Sequence, residues 1–238
     1  MPSASVSFPI IVLFVALGLV IGFLFYILAK RQIKVRIEKI PSLADDYIPQ
    51  LLNKKWVLPV WEIAFAGLYT ASYLLFSENV VVLIYAVVFI SCSINIIFID
   101  LAIRRIPNEL LVIMLIASLA RFIAEPLIYQ EGTVKQNLTL AFIGIICGFV
   151  LFSLPQKLGK YIGAGDIKLS AVIGFSLGLV GYLQAMIIMA LIMLAYLVIL
   201  LATKKGNMKS VAPMGPALCV GSIISLLFPI LSSNIKIL

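Results

Sequence analysis

The sequence contains no histidine and few charged residues: of 238 residues, 18 are Lys or Arg and 10 are Asp or Glu. Without histidine, catalysis by a Ser-His or Cys-His pair and metal or haem ligation by histidine are excluded for this chain. Its three cysteines, Cys92, Cys147 and Cys219, lie far apart within apolar runs and form no CxxC pair. We therefore expect them to be small buried hydrophobic side chains, and we expect no metal site.

Apolar residues dominate the composition, at 63% of the chain, and the mean hydropathy is +1.18. An ordinary soluble domain has just under half apolar residues and about a quarter charged ones, so this composition excludes a soluble globular protein. It predicts an all-α, polytopic integral membrane protein whose solvent is the lipid bilayer. The net charge of +8 does not indicate a nucleic-acid partner, because the basic residues lie in short loops beside apolar segments and report membrane topology instead.

The uncharged runs predict about eight transmembrane helices, since about 20 apolar residues cross the hydrocarbon core. The runs cover residues 7–29, 57–76, 79–99, 109–129, 136–154, 169–203 and 214–231, and only the second, with Glu62, and the fourth, with Glu109, Arg121 and Glu125, contain charged residues. As one helix, residues 169–203 would be about 52 Å long, too long for a core of about 30 Å. We expect this stretch to turn back near Gly178, Gly181 and Tyr182, which gives two helices.

The basic residues predict an orientation with the N-terminus outside. Only Lys135 and Lys236 then lie outside, and Arg121 lies within a span. By the positive-inside rule, the other fifteen mark the cytoplasmic loops: Lys30, Arg31, Lys34, Arg36, Lys39, Lys54, Lys55, Arg104, Arg105, Lys157, Lys160, Lys168, Lys204, Lys205 and Lys209. The largest of these loops, residues 30–56, contains either a short amphipathic helix near residues 42–52 or only a solvated segment at the headgroups.

Ionisable side chains within or beside the spans are functional candidates, because they are costly in a membrane. Arg121 and Glu125 are spaced i, i+4 and are expected to form an ion pair within one helix. Glu62 has no basic neighbour in the sequence, so it requires a partner on another helix or a water-filled cavity. Asp100 ends the third span and Asp166 begins the sixth, and two crossings between them return both to the cytoplasmic face.

Two carboxyl groups in a poorly solvated site can share one proton, so that one acts as base and the other as acid. Such a pair hydrolyses an amide without histidine or metal. Asp166 follows Gly163 and Gly165, which we expect to permit backbone conformations closed to other residues and to let another chain approach closely. Pro107 is expected to fix the start of the fourth span.

At these residues the sequence resembles the type IV prepilin peptidases, the GxGD aspartyl proteases of membranes. Asp100 with Pro107 and Asn108 matches the family's D-x6-P-N arrangement, and residues 163–169 match its G-x-G-D-x-K-L motif, including Lys168. The resemblance extends to Pro59 and Glu62 in a P-x-x-E arrangement, and to the Gly-Pro pair at 215–216.

The resemblance implies that Asp100 and Asp166 are the catalytic pair, supported by Gly163, Gly165, Lys168, Pro107 and Asn108. It implies a methyltransferase-like half over residues 1–78 and an aspartyl peptidase region over residues 79–238. The implied activity is removal of the leader from prepilin-like proteins at the cytoplasmic face of the inner membrane, with the substrate's apolar helix recognised in the bilayer.

Many bacterial members also methylate the new N-terminus with S-adenosylmethionine, and their first cytoplasmic loop often carries two zinc-binding CxxC pairs. Residues 30–56 contain no cysteine, and Gly-Phe-Leu-Phe at residues 22–25 replaces the family's Ser-Phe-Leu-Asn. Zinc is therefore not expected. Methylation stays open, with Glu62 as the candidate residue of that half.

The sequence alone leaves three other functions open. Asp100 and Asp166 could bind a proton or cation in a transporter, although transporters usually hold such sites at the membrane midplane. A presenilin-like protease is a second interpretation, but Ile99 stands where those enzymes have tyrosine. A third is a relative that binds prepilins without cutting them, which the intact motifs do not support.

Overall fold

The computed structural model describes residues 7–39, 54–130, 133–157, 163–203 and 214–231. Within this part of the chain all regular structure is helical. The helices are α1 (Phe8–Lys39), α2 (Val57–Phe76), α3 (Val80–Ile103), α4 (Asn108–Tyr129), α5 (Val134–Lys157), α6 (Ala164–Ala202) and α7 (Met214–Leu227). The segment predicted as an amphipathic helix, residues 42–52, lies outside the described residues.

Six of these helices are long and apolar enough to cross a membrane, and α7 is shorter, with 14 residues. The prediction of an all-α, polytopic membrane protein is therefore confirmed, whereas the count of eight crossings stays a prediction. Large apolar side chains are exposed on several helices, as a lipid-facing surface requires: Phe8, Ile63 and Leu127 are 75%, 66% and 70% exposed.

The chain divides into two compact units, residues 1–105 and 106–238. In the first unit, α1 packs closely on α2 through Gly18 and Gly22, which are spaced as in the GxxxG motif of membrane helices. A Cβ atom at Gly18 would lie 2.5 Å from the Ala66 Cα atom. The indole Nε1 of Trp61 donates a hydrogen bond to the Gly22 carbonyl oxygen at 3.0 Å, which fixes the register of the two helices.

In the second unit, small residues allow α5 and α6 to approach closely. A Cβ atom on Gly144 would lie 2.1 Å from the Gly174 carbonyl oxygen, and one on Gly148 would lie 2.5 Å from the Ser170 carbonyl oxygen. The Ser170 hydroxyl donates to the Gly148 carbonyl oxygen at 3.0 Å. Because residue numbers rise along α6 as they fall along α5 in these contacts, the two helices are antiparallel there.

Helix α6 is broken at Gly178, whose backbone angles of φ 67° and ψ 179° are not helical. Residues 170 and 182 would be about 18 Å apart along a straight helix. The Ser170 and Tyr182 hydroxyls are instead 2.7 Å apart, so α6 bends back at the glycine. The predicted turn in the middle of the long apolar stretch is therefore confirmed, and it lies at Gly178, where glycine tolerates the positive φ.

The second half of α6 packs on α7. A Cβ atom on Gly221 would lie 2.5 Å from the Ala185 carbonyl oxygen, and the Ser225 hydroxyl donates to the Gly181 carbonyl oxygen at 2.7 Å. The Gln184 side chain makes two bonds beyond the end of α7: its Nε2 donates to the Phe228 carbonyl oxygen at 2.6 Å, and its Oε1 accepts from the Leu231 amide at 3.0 Å.

Helix α4 joins the second unit through its contact with α6. The Ser118 hydroxyl donates to the Ser176 hydroxyl at 2.7 Å, and the Phe122 and Phe175 rings meet edge to face with centroids 5.7 Å apart. Near the end of α4, the Arg121 Nε atom lies 3.0 Å from the Glu125 Oε2 atom. The predicted ion pair within one helix is therefore confirmed.

Candidate functional site

Asp100 lies in the last turn of α3 and is 9% exposed. The helix ends because Arg104 adopts a left-handed conformation with φ 50°, and its backbone N–H donates to the Asp100 carbonyl oxygen at 2.8 Å. This arrangement is an αL cap without the usual glycine. The cap fixes the backbone at Asp100 and ends α3. The sequence pattern did not indicate Arg104 as the residue that caps this helix.

Asp166 is the third residue of α6, and Gly163 is the N-cap residue of that helix. The Asp166 amide donates to the Gly163 carbonyl oxygen at 3.0 Å. Among the described residues, the Asp166 carboxylate has no hydrogen-bond or ion-pair partner. A carboxylate in the first turn of a helix lies at the positive end of the helix dipole. The dipole of α6 therefore stabilises the ionised form of Asp166.

Gly163 serves a different purpose from the one expected from the sequence. Its angles of φ −60° and ψ 134° are open to any residue, and Gly165 is within the helix, so the expected special backbone conformation is wrong for both glycines. A Cβ atom on Gly163 would instead lie 3.1 Å from the Asp166 Oδ2 atom. The missing side chain therefore leaves one carboxylate oxygen of Asp166 uncovered on the side of residue 163.

Gly165 allows the close approach that was the other expectation for these glycines. A Cβ atom on Gly165 would lie 3.4 Å from the Cβ atom of Ile106 and 3.5 Å from its Cγ1 and Cδ1 atoms. The Ile106 side chain therefore lies directly on the backbone beside Asp166. Ile106 was not among the residues that the sequence motifs indicated. The sequence feature that distinguishes it is its position just before Pro107, because proline restricts the preceding residue to extended conformations.

The structure also brings Lys168 and Asn108 together across 60 residues of sequence. The Lys168 Nζ atom donates to the Asn108 Oδ1 atom at 3.5 Å. Pro107 is the N-cap residue of α4, with extended angles of φ −67° and ψ 122°, and α4 begins at Asn108. Pro107 therefore marks the start of the fourth span as predicted, from the position just before the helix.

Glu62 lies in α2, half-buried, and among the described residues its carboxylate has no hydrogen-bond or ion-pair partner. Its Cα atom would be 3.3 Å from a Cβ atom on Gly22, so the backbone at Glu62 lies close to α1. The preceding residue, Trp61, packs on the Phe98 and Tyr26 rings with centroid distances of 4.6 and 6.4 Å. The Lys30 Nζ atom lies 4.6 Å from the Tyr26 ring centroid.

Metal ligands do not cluster in the described part of the chain: no group of three or more Cys, Asp or Glu side chains there could hold an ion. The predicted site residues are distributed over both compact units. Asp100 and Glu62 belong to the first, and Pro107, Asn108, Gly163, Gly165, Asp166 and Lys168 belong to the second.

Comparison with known proteins gives two matches. Residues 87–198 match the sequence profile of the type IV leader peptidase family, and this region contains both Asp100 and Asp166. The chain is 30% identical over 174 residues to the prepilin leader peptidase/N-methyltransferase of Bacillus subtilis (strain 168). That alignment covers 73% of the chain and 66% of the relative, so the chain spans slightly less than two thirds of the relative's length. No solved structure matches the chain significantly.

Proposed function

We propose that this chain is a membrane aspartyl endopeptidase that removes the short leader from type IV prepilin-like proteins, and its match to the type IV leader peptidase family over residues 87–198 supports this. The observation that carries the proposal is that the matched region has a carboxylate at each of two helix ends. Asp100 is in the last turn of α3 and Asp166 is in the first turn of α6. Ionisable groups at such positions in an apolar chain are functional candidates.

In the proposed reaction, Asp100 and Asp166 share one proton. The ionised carboxylate takes a proton from a water molecule as the water oxygen attacks the scissile carbonyl carbon, and the protonated carboxyl group donates its proton to the carbonyl oxygen. When the tetrahedral intermediate collapses, the carboxyl group that took the water's proton donates it to the leaving nitrogen as the C–N bond breaks. The other carboxylate takes a proton from a hydroxyl group of the intermediate as the carbonyl re-forms, so the pair again shares one proton. The Asp166 Oδ2 atom is not covered by a side chain at residue 163, which favours Asp166 as the group that contacts the water.

We place the reaction at the cytoplasmic face of the inner membrane. The distribution of basic residues supports this orientation, since the loops and helix ends assigned to the cytoplasmic side contain fifteen of the 18. The partners in the proposal are the lipid bilayer and prepilin-like substrates, whose apolar N-terminal helix would lie beside the enzyme in the membrane.

The test is coexpression of the full chain with a prepilin-like substrate, with loss of the leader followed by gel shift. Asp100→Asn and Asp166→Asn keep the size of the side chain and remove its charge, and each should abolish cleavage. Glu125→Gln is the matched control, because Glu125 lies far along α4 from the site and forms an ion pair with Arg121 at 3.0 Å. This variant should cleave normally. A wild type that leaves several prepilins intact, or an Asp variant that cleaves, would contradict the proposal and favour a transporter that uses the same carboxylates.

A finer part of the proposal is methylation of the new N-terminus with S-adenosylmethionine as the methyl donor, and Glu62 is the residue that would hold this cofactor. The Glu62 carboxylate has no partner among the described residues, and an ionised carboxylate attracts a cationic ligand. When bound, the cofactor supplies a methyl group to an amine. Titration of the purified chain with S-adenosylmethionine should give saturable binding that Glu62→Gln weakens. Absence of binding to the wild type would remove this activity from the proposal.

A further inference from the structure

The residues at the start of α4 contact the first two turns of α6 at two points, one on each side of Asp166 in the sequence. We name residues Ile106, Pro107 and Asn108 the connector. Ile106 covers Gly165, with its nearest atoms 3.4–3.5 Å from where a Cβ atom would be. Asn108 accepts a hydrogen bond from Lys168 at 3.5 Å. Both contacts lie within the second unit.

No side-chain hydrogen bond caps the first turn of α6, the helix that contains Asp166. Its N-cap residue is Gly163, which has no side chain to accept a hydrogen bond from the free backbone amides, and no side-chain cap bond is present there. The carboxylate has no partner among the described residues. The contacts with the connector therefore add to the packing of Ile167 and Leu169, whose side chains are buried just after Asp166.

Lys168 is not explained by helix stability. A cation near the N-terminal end of a helix is disfavoured by the helix dipole, and this lysine is exposed, so it buries little surface. Lys168 is two residues from Asp166, which places the two side chains about 200° apart around the helix axis. Its ammonium group therefore reaches away from Asp166 and toward the amide of Asn108.

We propose that Lys168 and Asn108 are positioning residues, which hold the first turn of α6 against the connector and thereby fix the direction of the Asp166 carboxylate. This inference rests on the proposed peptidase function. A hydrogen bond between exposed side chains adds little to stability, whereas a misplaced catalytic group strongly reduces the rate. Loss of the pair should therefore reduce turnover without unfolding the protein.

The first experiment measures kcat and KM of the full-length enzyme on a prepilin-like substrate. Lys168→Met and Asn108→Ala should each lower kcat about tenfold and leave KM within about twofold, and the double variant should be no slower than either single one. Asn108→Asp keeps an acceptor for Lys168 and should retain most of the activity. Lys135→Met is the matched control, since Lys135 is an exposed lysine near the start of α5.

The inference is overturned if the two losses multiply in the double variant, if kcat does not fall, or if Lys168→Met raises KM alone, which would make Lys168 a substrate-binding residue. A second experiment separates this outcome from failure of the proposed function. In Asn108→Glu, a water-soluble carbodiimide applied to the membrane-embedded protein should join residues 108 and 168 by an amide bond, which is detected by mass spectrometry after digestion. Cross-linking in this variant, together with a wild type that cleaves no prepilin, would refute the peptidase function and retain the contact, whereas no cross-link would refute the contact itself.

Discussion

Gly163 offers the sharpest test of how the site works, because its backbone does not require glycine. Its angles of φ −60° and ψ 134° suit alanine or serine as well. A Cβ atom there would lie 3.1 Å from the Asp166 Oδ2 atom, whereas ordinary carbon–oxygen contacts are about 3.3–3.6 Å. Gly163→Ala should therefore push the carboxylate aside by a few tenths of an ångström, without disturbing the fold.

The size of the effect follows from this displacement. Misplacement of a reacting group by about 1 Å reduces the rate roughly 100-fold, so a shift of a few tenths of an ångström should lower kcat about threefold to tenfold. Gly163→Ser should lower kcat at least as much, because its hydroxyl occupies the same space. Serine is also a better N-cap than glycine by a few tenths of a kcal/mol, so this variant should unfold at the same temperature as the wild type or slightly higher.

The assay compares cleavage rates and thermal unfolding of the two variants with Gly67→Ala, where an added Cβ atom has no neighbour within 4 Å. The control should match the wild type in kcat. If Gly163→Ser cleaves at the wild-type rate, the uncovered carboxylate oxygen is not needed and the reasoning is wrong. If both Gly163 variants lose stability and activity together, the glycine serves the fold and not the carboxylate.

Two further predictions concern the packing of the second unit. Gly174→Ala would place a Cβ atom 2.2 Å from the Gly144 carbonyl oxygen, so it should destabilise the protein by about 1–3 kcal/mol in reversible unfolding, while Gly67→Ala should not. Tyr182→Phe removes the hydroxyl that lies 2.7 Å from the Ser170 hydroxyl across the break in α6. It should reduce stability by about 0.5–1.5 kcal/mol, and an unchanged unfolding temperature would show that this bond does not support the bend.

The order of helices could be predicted from the sequence because membrane spans depend on length and hydropathy, which are local properties. The break in α6 could be predicted for the same reason: 35 uncharged residues exceed the bilayer, and Gly178 is one of the few residues there that tolerates a turn. The Arg121–Glu125 pair followed from its spacing on one helix.

The contacts around the candidate site could not be predicted in this way, because they join distant parts of the chain. Asn108 and Lys168 are 60 residues apart, and no local pattern specifies that their side chains meet. The sequence also did not show why residue 163 is a glycine. The motif indicated glycine, but only the position of the Asp166 carboxylate shows that the missing atom matters more than backbone freedom.

Helix α7 has 14 residues and is therefore about 21 Å long, roughly 9 Å less than the hydrocarbon thickness of a typical bilayer. If α7 lies in the bilayer, the backbone just beyond its end requires protein partners, because each unsatisfied backbone group in hydrocarbon costs several kcal/mol. Gln184 satisfies two such groups: its Nε2 donates to the Phe228 carbonyl oxygen, and its Oε1 accepts from the Leu231 amide. One amide side chain thus takes the place of two water molecules, which allows a helix too short to span the membrane to end within it.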